Sequence, residues 1–153
     1  MYKRQESVND EVLSVVKKYV NNRSIIVGAQ SGSERVLKIL RRNHSTEDVL
    51  KAVDTIKRHG FVPHVDFIFG FPFETQEDQH ETLQFVEKLV EMGCKIHAHS
   101  FLPLPGTSLE RAGSARLPHW LKKRLSQLSA QGKLDGYWQK QEHMSWELHS
   151  QTR

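Results

Sequence analysis

The stretch IIVGAQSGSERVL, residues 25–37, decides the fold. Its β-branched start is typical of a buried strand, and Ser33 is placed to cap a helix after a turn of small residues. The free backbone N–H groups at such a turn suit a polar or anionic ligand. The alternative is that Gly28 and Gly32 only permit a tight connection between strand and helix.

The same order of strand, turn and helix occurs twice more in the chain. A strand at residues 61–70 precedes a turn and a long helix capped by Thr75, and a strand at residues 95–102 precedes a turn rich in Pro and Gly. Strands separated by helices pair in parallel with right-handed crossovers. We therefore predict three parallel strands with flanking helices, followed by C-terminal helices. Their carboxyl ends meet at one edge, where such sheets bind ligands.

Side chains alternate along each predicted strand, so one face is apolar and belongs under the helices. The opposite face carries Gln30, Asp66, His97 and His99. A carboxylate in the middle of a strand is costly to bury without a partner. Asp66 is therefore either paired within the protein or directed at a ligand. The two histidines are either hydrogen-bonded lining of the sheet or contacts to a bound molecule.

Composition and charge limit the class of protein. With 153 residues, of which 37% are hydrophobic and 26% charged, the chain is long enough for one globular domain. We find no membrane span and no signal pattern, which predicts a cytoplasmic protein without membrane contact. The net charge of +4 is spread along the chain, so nucleic-acid binding is not indicated.

Cys94 is the only cysteine, which excludes an intrachain disulfide. It also excludes an iron–sulfur cluster or a thiolate zinc site built from this chain alone. The nine histidines show no metal-ligand spacing on a helix. We therefore assign no metal ligand and no catalytic residue to the chain itself.

Three motifs, in order, resemble the second half of the barrel of radical S-adenosylmethionine (SAM) enzymes. Residues 28–37 resemble the fourth strand of that superfamily, VDFIFGFPFET at 65–75 its fifth, and FLPLPGT at 101–107 its sixth. The resemblance implies an α/β fold over residues 1–110, the C-terminal half of a (β/α)6 TIM-like partial barrel, with a helical extension at 111–153. Within that superfamily, the chain is similar to the archaeal iron–sulfur oxidoreductases with an N-terminal cobalamin-binding domain, and this similarity includes the segment around residues 132–134.

The resemblance also implies which residues bind SAM. Arg42 would pair with the methionine carboxylate, a task that suits an arginine fork. Gln30 and Asp66 would hydrogen-bond the ribose hydroxyls. Ile68 and Gly70 would pack against the adenine, the backbone near Leu102 and Leu104 would complete its pocket, and Ser31 and Ser33 would lie nearby. From their place on the open side of the predicted sheet, His97 and His99 are candidates for the substrate pocket.

The family's three-cysteine cluster loop and its motif for the methionyl amine belong to strands that this sequence lacks. We therefore expect a fragment of a radical SAM Fe–S oxidoreductase, with the 4Fe–4S cluster, and any cobalamin, held by the missing N-terminal half of the barrel. The parent would generate a deoxyadenosyl radical or transfer a methyl group through cobalamin, and the fragment alone would be inactive. Two other classes stay open, a non-catalytic α/β nucleotide-binding module and an interaction domain.

A half barrel would leave the strand at residues 25–30 with an unpaired edge and the inner face of its sheet open. Exposed edges and apolar patches drive association. We therefore predict self-association, most simply as a two-fold dimer. In the alternative, the C-terminal segment with Trp138 and Trp146 covers the opening.

Overall fold

The computed structural model describes residues 2–3, 8–21, 23–113 and 116–151, which form a parallel sheet flanked by helices. The five strands are β1 (Tyr2–Lys3), β2 (Ser24–Gln30), β3 (Val62–Phe69), β4 (Lys95–Ser100) and β5 (Leu134–Asp135). The helices are α1 (Asp10–Tyr19), α2 (Glu34–Ile39), α3 (Thr46–Arg58), α4 (Gln76–Glu91), α5 (His119–Ala130) and α6 (Trp138–Gln151). The strands lie in the sheet in chain order, each parallel to its neighbours. The predicted α/β architecture is confirmed.

Local sequence explains where the helices begin and end. Ser45 and Thr75 each cap a helix, and the carboxylate of the aspartate three residues later accepts the backbone N–H of the cap residue. These two reciprocal caps start α3 and α4. Gly93 follows α4 with a φ of 85°, a left-handed conformation that glycine adopts readily and that ends the helix.

The predicted alternation is confirmed along β3 and β4, whereas in β2 it ends at Gly28, where the pairing with β3 shifts register. Val65, Phe67 and Phe69 on β3 are fully buried, and they pack with residues of α3, α4 and α5 in the main core. A second cluster joins β2 to α1 and α3. The helices thus cover one face of the sheet. The other face, here called the open face, carries the partly exposed side chains Ile26, His64, Asp66, Ile68, His97 and His99.

The two edge strands were missing from the prediction. β1 pairs with β2 at Ile26 and Val27, so part of the edge that we expected to be unpaired is covered. β5 pairs with β4 at Ile96 and His97, so the C-terminal extension is not purely helical. Each of these strands has two residues, and two residues carry no periodicity from which a strand can be predicted.

The first tryptophan of the C-terminal helix does not lie on the open face. Trp138 is buried in the main core on the helix-covered side, and its carbonyl accepts a hydrogen bond from Ser100 Oγ at 2.8 Å. Trp146 lies instead under the guanidinium of Arg116, 3.7 Å from the ring centroid. Self-association through the open face therefore stays a prediction. Within the described ranges, no helix is both long and apolar enough to cross a membrane.

Candidate functional site

The turn between β2 and α2 is fastened to α4. Ser31 Oγ lies 3.1 Å from Thr82 Oγ1, and Thr82 Oγ1 also accepts the N–H of Gly32 at 3.1 Å. Ser33 Oγ donates to Asp78 Oδ1 at 2.7 Å, and both serines are fully buried. The N–H groups of Gly32, Ser33 and Val36 thus have partners within the protein, on Thr82 or on the serine side chains, and ligand binding by this turn stays a prediction. Ser31 and Ser33 position the turn.

A β-bulge at the end of β2 changes the direction of Gln30. Gly28 pairs with Asp66 and Gln30 with Phe67, which leaves Ala29 without a partner in the register. Gln30 has a φ of 70°, in the left-handed region that residues other than glycine seldom adopt. Backbone strain of this kind clusters at ligand sites. The bulge is thus a local marker of a site at this edge.

Arg42 carries a buried donor that no described residue accepts. Its Nε is buried and has no hydrogen-bond partner among the residues that the structure describes. An unsatisfied buried donor costs about 1–3 kcal/mol, a cost that a bound acceptor removes. His44, two residues later, hydrogen-bonds the carbonyl of Ala29 at 3.1 Å. This bond holds the loop that carries Arg42 beside the bulge.

Asp66 lies in the middle of the open face. In the sheet it is opposite Gly28 on β2 and His97 on β4. Burial raises the pKa of Asp66, and the nearby charges of His97 and His99 act in the opposite direction. No described residue donates a hydrogen bond to its carboxylate. Of the two interpretations left open by the sequence, this favours a carboxylate directed at a ligand.

Four of the predicted residues line one pocket at the carboxyl ends of β3 and β4. The pocket has a volume of about 440 Å³. Phe71 and Phe101, whose ring centroids are 5.3 Å apart, form part of its wall. A largely apolar wall with aromatic rings suits a planar base. The predicted residues in this wall are Ile68, His99, Leu102 and Leu104.

Glu74 was not among the predicted site residues. Its Oε2 accepts the N–H of Gly70 at 2.7 Å, and its Oε1 is buried without a partner in the described part of the chain. Burial raises the pKa of Glu74 to about 7, against the effect of the hydrogen bond from Gly70. The folded protein therefore binds this proton more tightly than the unfolded chain does, and stability falls as the pH rises towards 7. In the sequence, Glu74 could have been identified as a candidate only from its position four residues after Gly70, in the turn that follows β3.

An iron–sulfur cluster does not fit the residues of this chain. Cys94, the only cysteine, is buried in the main core on the helix-covered side of the sheet. Burial raises the pKa of its thiol to about 11, whereas cluster ligands are thiolates. Across the described ranges, no group of three or more His, Cys, Asp or Glu could hold a metal ion. The described residues therefore offer no set of ligands for the cluster.

Parallel strands with helices on one face, and ligand-facing groups at their carboxyl edge, define a segment of a TIM-like barrel. The chain belongs to the radical SAM superfamily, whose family profile matches residues 5–86, more than half of the sequence. Members of this superfamily use SAM and a 4Fe–4S cluster. The family predicted from the three motifs is confirmed.

Several curated proteins are similar in sequence. The threonylcarbamoyladenosine tRNA methylthiotransferase of Thermotoga maritima is 35% identical over 133 residues, 84% of this chain and 30% of that protein. A tRNA-2-methylthio-N(6)-dimethylallyladenosine synthase of Christiangramia forsetii is 33% identical, over 75% of this chain and 25% of that protein. An uncharacterized protein of Methanocaldococcus jannaschii is 33% identical, over 67% of this chain. The chain spans between 20% and 30% of the lengths of these relatives.

Solved structures share the fold at lower identity. Coproporphyrinogen III oxidase from Escherichia coli, a radical SAM enzyme, superposes with a TM-score of 0.66 at 17% identity, over 84% of this chain and 31% of that chain. The archaeal Elp3 of Methanocaldococcus infernus gives 0.62 at 20% identity, over 86% of this chain and 27% of that chain. A radical SAM methyltransferase from Kitasatospora setae, solved with cobalamin and an iron–sulfur cluster, gives 0.55 at 16% identity, over 65% of this chain and 18% of that chain.

Proposed function

We propose that this chain is the SAM-binding half of a radical SAM catalytic barrel. The buried, unpartnered Nε of Arg42 carries the proposal. A guanidinium is suited to binding a carboxylate through two hydrogen bonds at once, one from Nε–H and one from a terminal N–H. SAM offers such a carboxylate at its methionine end.

The other contacts follow from the positions of the neighbouring groups. Asp66 and Gln30 lie at the carboxyl half of the sheet, one on the open face and one in the bulge, and both can accept from ribose hydroxyls. The adenine would occupy the pocket lined by Ile68, Leu102 and Leu104, and Gly70 directly precedes Phe71 of the pocket wall. When bound, SAM supplies the deoxyadenosyl or the methyl group of the reaction. The protein's own residues bind and orient it and exclude water from the base.

The remaining parts of the catalytic barrel belong to the longer protein in this proposal. The cluster ligands would come from its other strands, because the single buried thiol of Cys94 cannot provide them. Cobalamin in the longer protein stays a prediction, and the Kitasatospora methyltransferase is a structural neighbour that was solved with cobalamin bound. Without that half of the barrel, the chain would have the adenosine and carboxylate contacts but no means of cleaving SAM.

Replacing either Arg42 or Asp66 by alanine is expected to weaken SAM binding in the full-length protein. Each contact is a hydrogen bond to a charged group, worth about 1.5–3 kcal/mol, so the Kd should rise about tenfold to a hundredfold. Isothermal titration calorimetry with SAM measures this change. Arg41→Ala is the matched control, since it removes the same charge from an exposed neighbouring position. Unchanged affinity in both Arg42→Ala and Asp66→Ala would refute the proposed site.

A nucleoside in tRNA is our proposal for the substrate of the full-length protein. It is supported by the two relatives above 30% identity whose names specify modified adenosines of tRNA. This substrate differs from the expectation in the sequence analysis, where a net charge spread along the chain did not indicate nucleic-acid binding. Mass spectrometry of tRNA nucleosides from cells with and without the gene tests it. We expect one modified adenosine to disappear with the gene, and an identical nucleoside profile would contradict this substrate class.

A further inference from the structure

His97 lies between two polar partners on the open face. Its Nδ1 is 2.6 Å from Asp135 Oδ1, and its Nε2 is 2.8 Å from His64 Nδ1. The register of the parallel pair β4–β5 places Asp135 directly opposite His97. The three side chains therefore form one hydrogen-bonded chain, here called the relay, which crosses from β3 through β4 to β5.

The hydrogen bonds define where the protons of the relay lie. An ionised Asp135 only accepts, so His97 donates its Nδ1–H to it. When His97 is neutral, its Nε2 carries a lone pair and accepts the Nδ1–H of His64. The Nε2 of His64 then carries a lone pair of its own. No described residue hydrogen-bonds to this nitrogen.

The surroundings keep His64 available as a base. Burial lowers the pKa of His64, and the neighbouring His97 and Lys95 lower it further, while Asp135 opposes them. At the other end of the relay, the side chain of Asp135 is 63% exposed. Asp66 follows His64 by two residues on the same strand face, a separation of about 7 Å. The lone pair of His64 therefore lies on the same face as Asp66, a proposed SAM contact, and one bound molecule can reach both residues.

We propose that His64 accepts a proton from the molecule bound on the open face, and that His97 and Asp135 position His64 and take up the charge. The substrate's bond to hydrogen breaks with its electron pair left on the substrate, and a new N–H bond forms at His64 Nε2. The Nδ1 proton of His64 moves to His97 Nε2. The positive charge comes to rest on His97, beside the carboxylate of Asp135. The inference rests on the proposed function, since it takes the open face as the inside of the catalytic barrel.

The same two contacts also form when His97 is charged, but His97 then donates to His64 Nδ1 and the proton of His64 lies on Nε2. Nitrogen-15 NMR of the labelled 153-residue chain near neutral pH reports the tautomer of each ring. We expect His64 and His97 both to carry their proton on Nδ1. Asp135→Ala should change the tautomer balance of both rings, although His64 does not contact Asp135. Asp10→Ala is the matched control, because it removes the carboxylate 2.9 Å from His59 Nε2 and should leave the relay unchanged.

A chemical probe tests whether the relay raises the reactivity of His64. Diethyl pyrocarbonate acylates a neutral imidazole at its lone pair, and the rate at each histidine is read by peptide mass spectrometry. In His97→Gln, the amide oxygen still accepts the His64 Nδ1–H but cannot take up the proton. We expect His64 to react roughly tenfold more slowly in this variant, the loss of a general base behind the ring. Asp135→Ala, at an exposed position, should slow the same reaction.

Two results would overturn the relay. One is a wild-type His64 with its proton on Nε2, and the other is an unchanged acylation rate in both His97→Gln and Asp135→Ala. Neither readout involves SAM. A failure of the SAM site would instead be recorded by the Arg42→Ala and Asp66→Ala titrations, so the two failures are distinguishable.

Discussion

Replacing Gly32 by alanine is expected to destabilise the fold by roughly 3 kcal/mol, the upper range for overpacking a tight contact. A Cβ atom at this position would lie 2.7 Å from the Cα of Thr82 and 2.7 Å from the Cβ of Phe85. These atoms belong to the body of α4, so no flexible side chain can move aside. Urea denaturation followed by circular dichroism measures the free energy of unfolding.

A second glycine provides a control that separates the effect of steric crowding on stability from the effect of backbone conformation. Gly132 has a φ of 68°, and a Cβ there would have no atom within 4 Å. Gly132→Ala should therefore cost only the strain of a left-handed alanine, about 1 kcal/mol. If Gly32→Ala were no more destabilising than Gly132→Ala, then the contact between the β2–α2 turn and α4 would not be tight.

Replacing Asp78 by alanine is expected to cost about 2–4 kcal/mol, because it leaves several buried or charged donors without their acceptor. The carboxylate accepts from Ser33 and Arg35 on the α2 side and from the backbone and hydroxyl of Thr75. It is 3% exposed. Denaturation in urea again gives the change. Asp54→Ala removes an exposed carboxylate paired with Arg58 and should change stability by less than about 0.5 kcal/mol.

Lowering the pH should remove the stabilisation by the Asp78 carboxylate in the wild-type protein. Burial alone would raise the pKa of Asp78, but the hydrogen bonds from Arg35, Thr75 and Ser33 outweigh it and hold its pKa well below the usual carboxyl range. The stabilisation is therefore complete above the pKa of an unfolded aspartate and declines as the pH falls below about 4. The difference in stability between wild type and Asp78→Ala should shrink in that range. A constant difference would show that the contacts of Asp78 do not depend on its charge.

The sequence predicted the three long strands and their two faces, because alternation and caps are local signals. His64, Asp66 and Ile68 were placed on one face by period alone, and the structure keeps them there. The pocket residues Ile68, Leu102 and Leu104 came from motifs and do meet in one pocket. Their roles in SAM binding stay predictions, since geometry alone does not show a bound ligand.

The parts that could not be predicted depend on contacts between distant segments. Ser31 and Ser33 were predicted to lie near the ligand, which stays a prediction, but no sequence pattern showed that their hydroxyls contact residues of α4 that lie 51 and 45 positions away. The relay was missed because Asp135 belongs to a strand of two residues, which has no pattern of its own. Glu74 was missed because its raised pKa arises from burial, and burial is a property of the assembled fold.

The strands of the sheet follow the order of the chain, and this bears on how the protein assembles during synthesis. Each strand pairs with the one made just before it, so no strand has to wait for a partner from the far end of the polypeptide. Loop closure is therefore limited to one helical crossover at a time, which keeps its entropic cost small. A ribosome-bound chain can add one strand and helix to a growing edge after another. That edge stays open to the next unit until its strand is made.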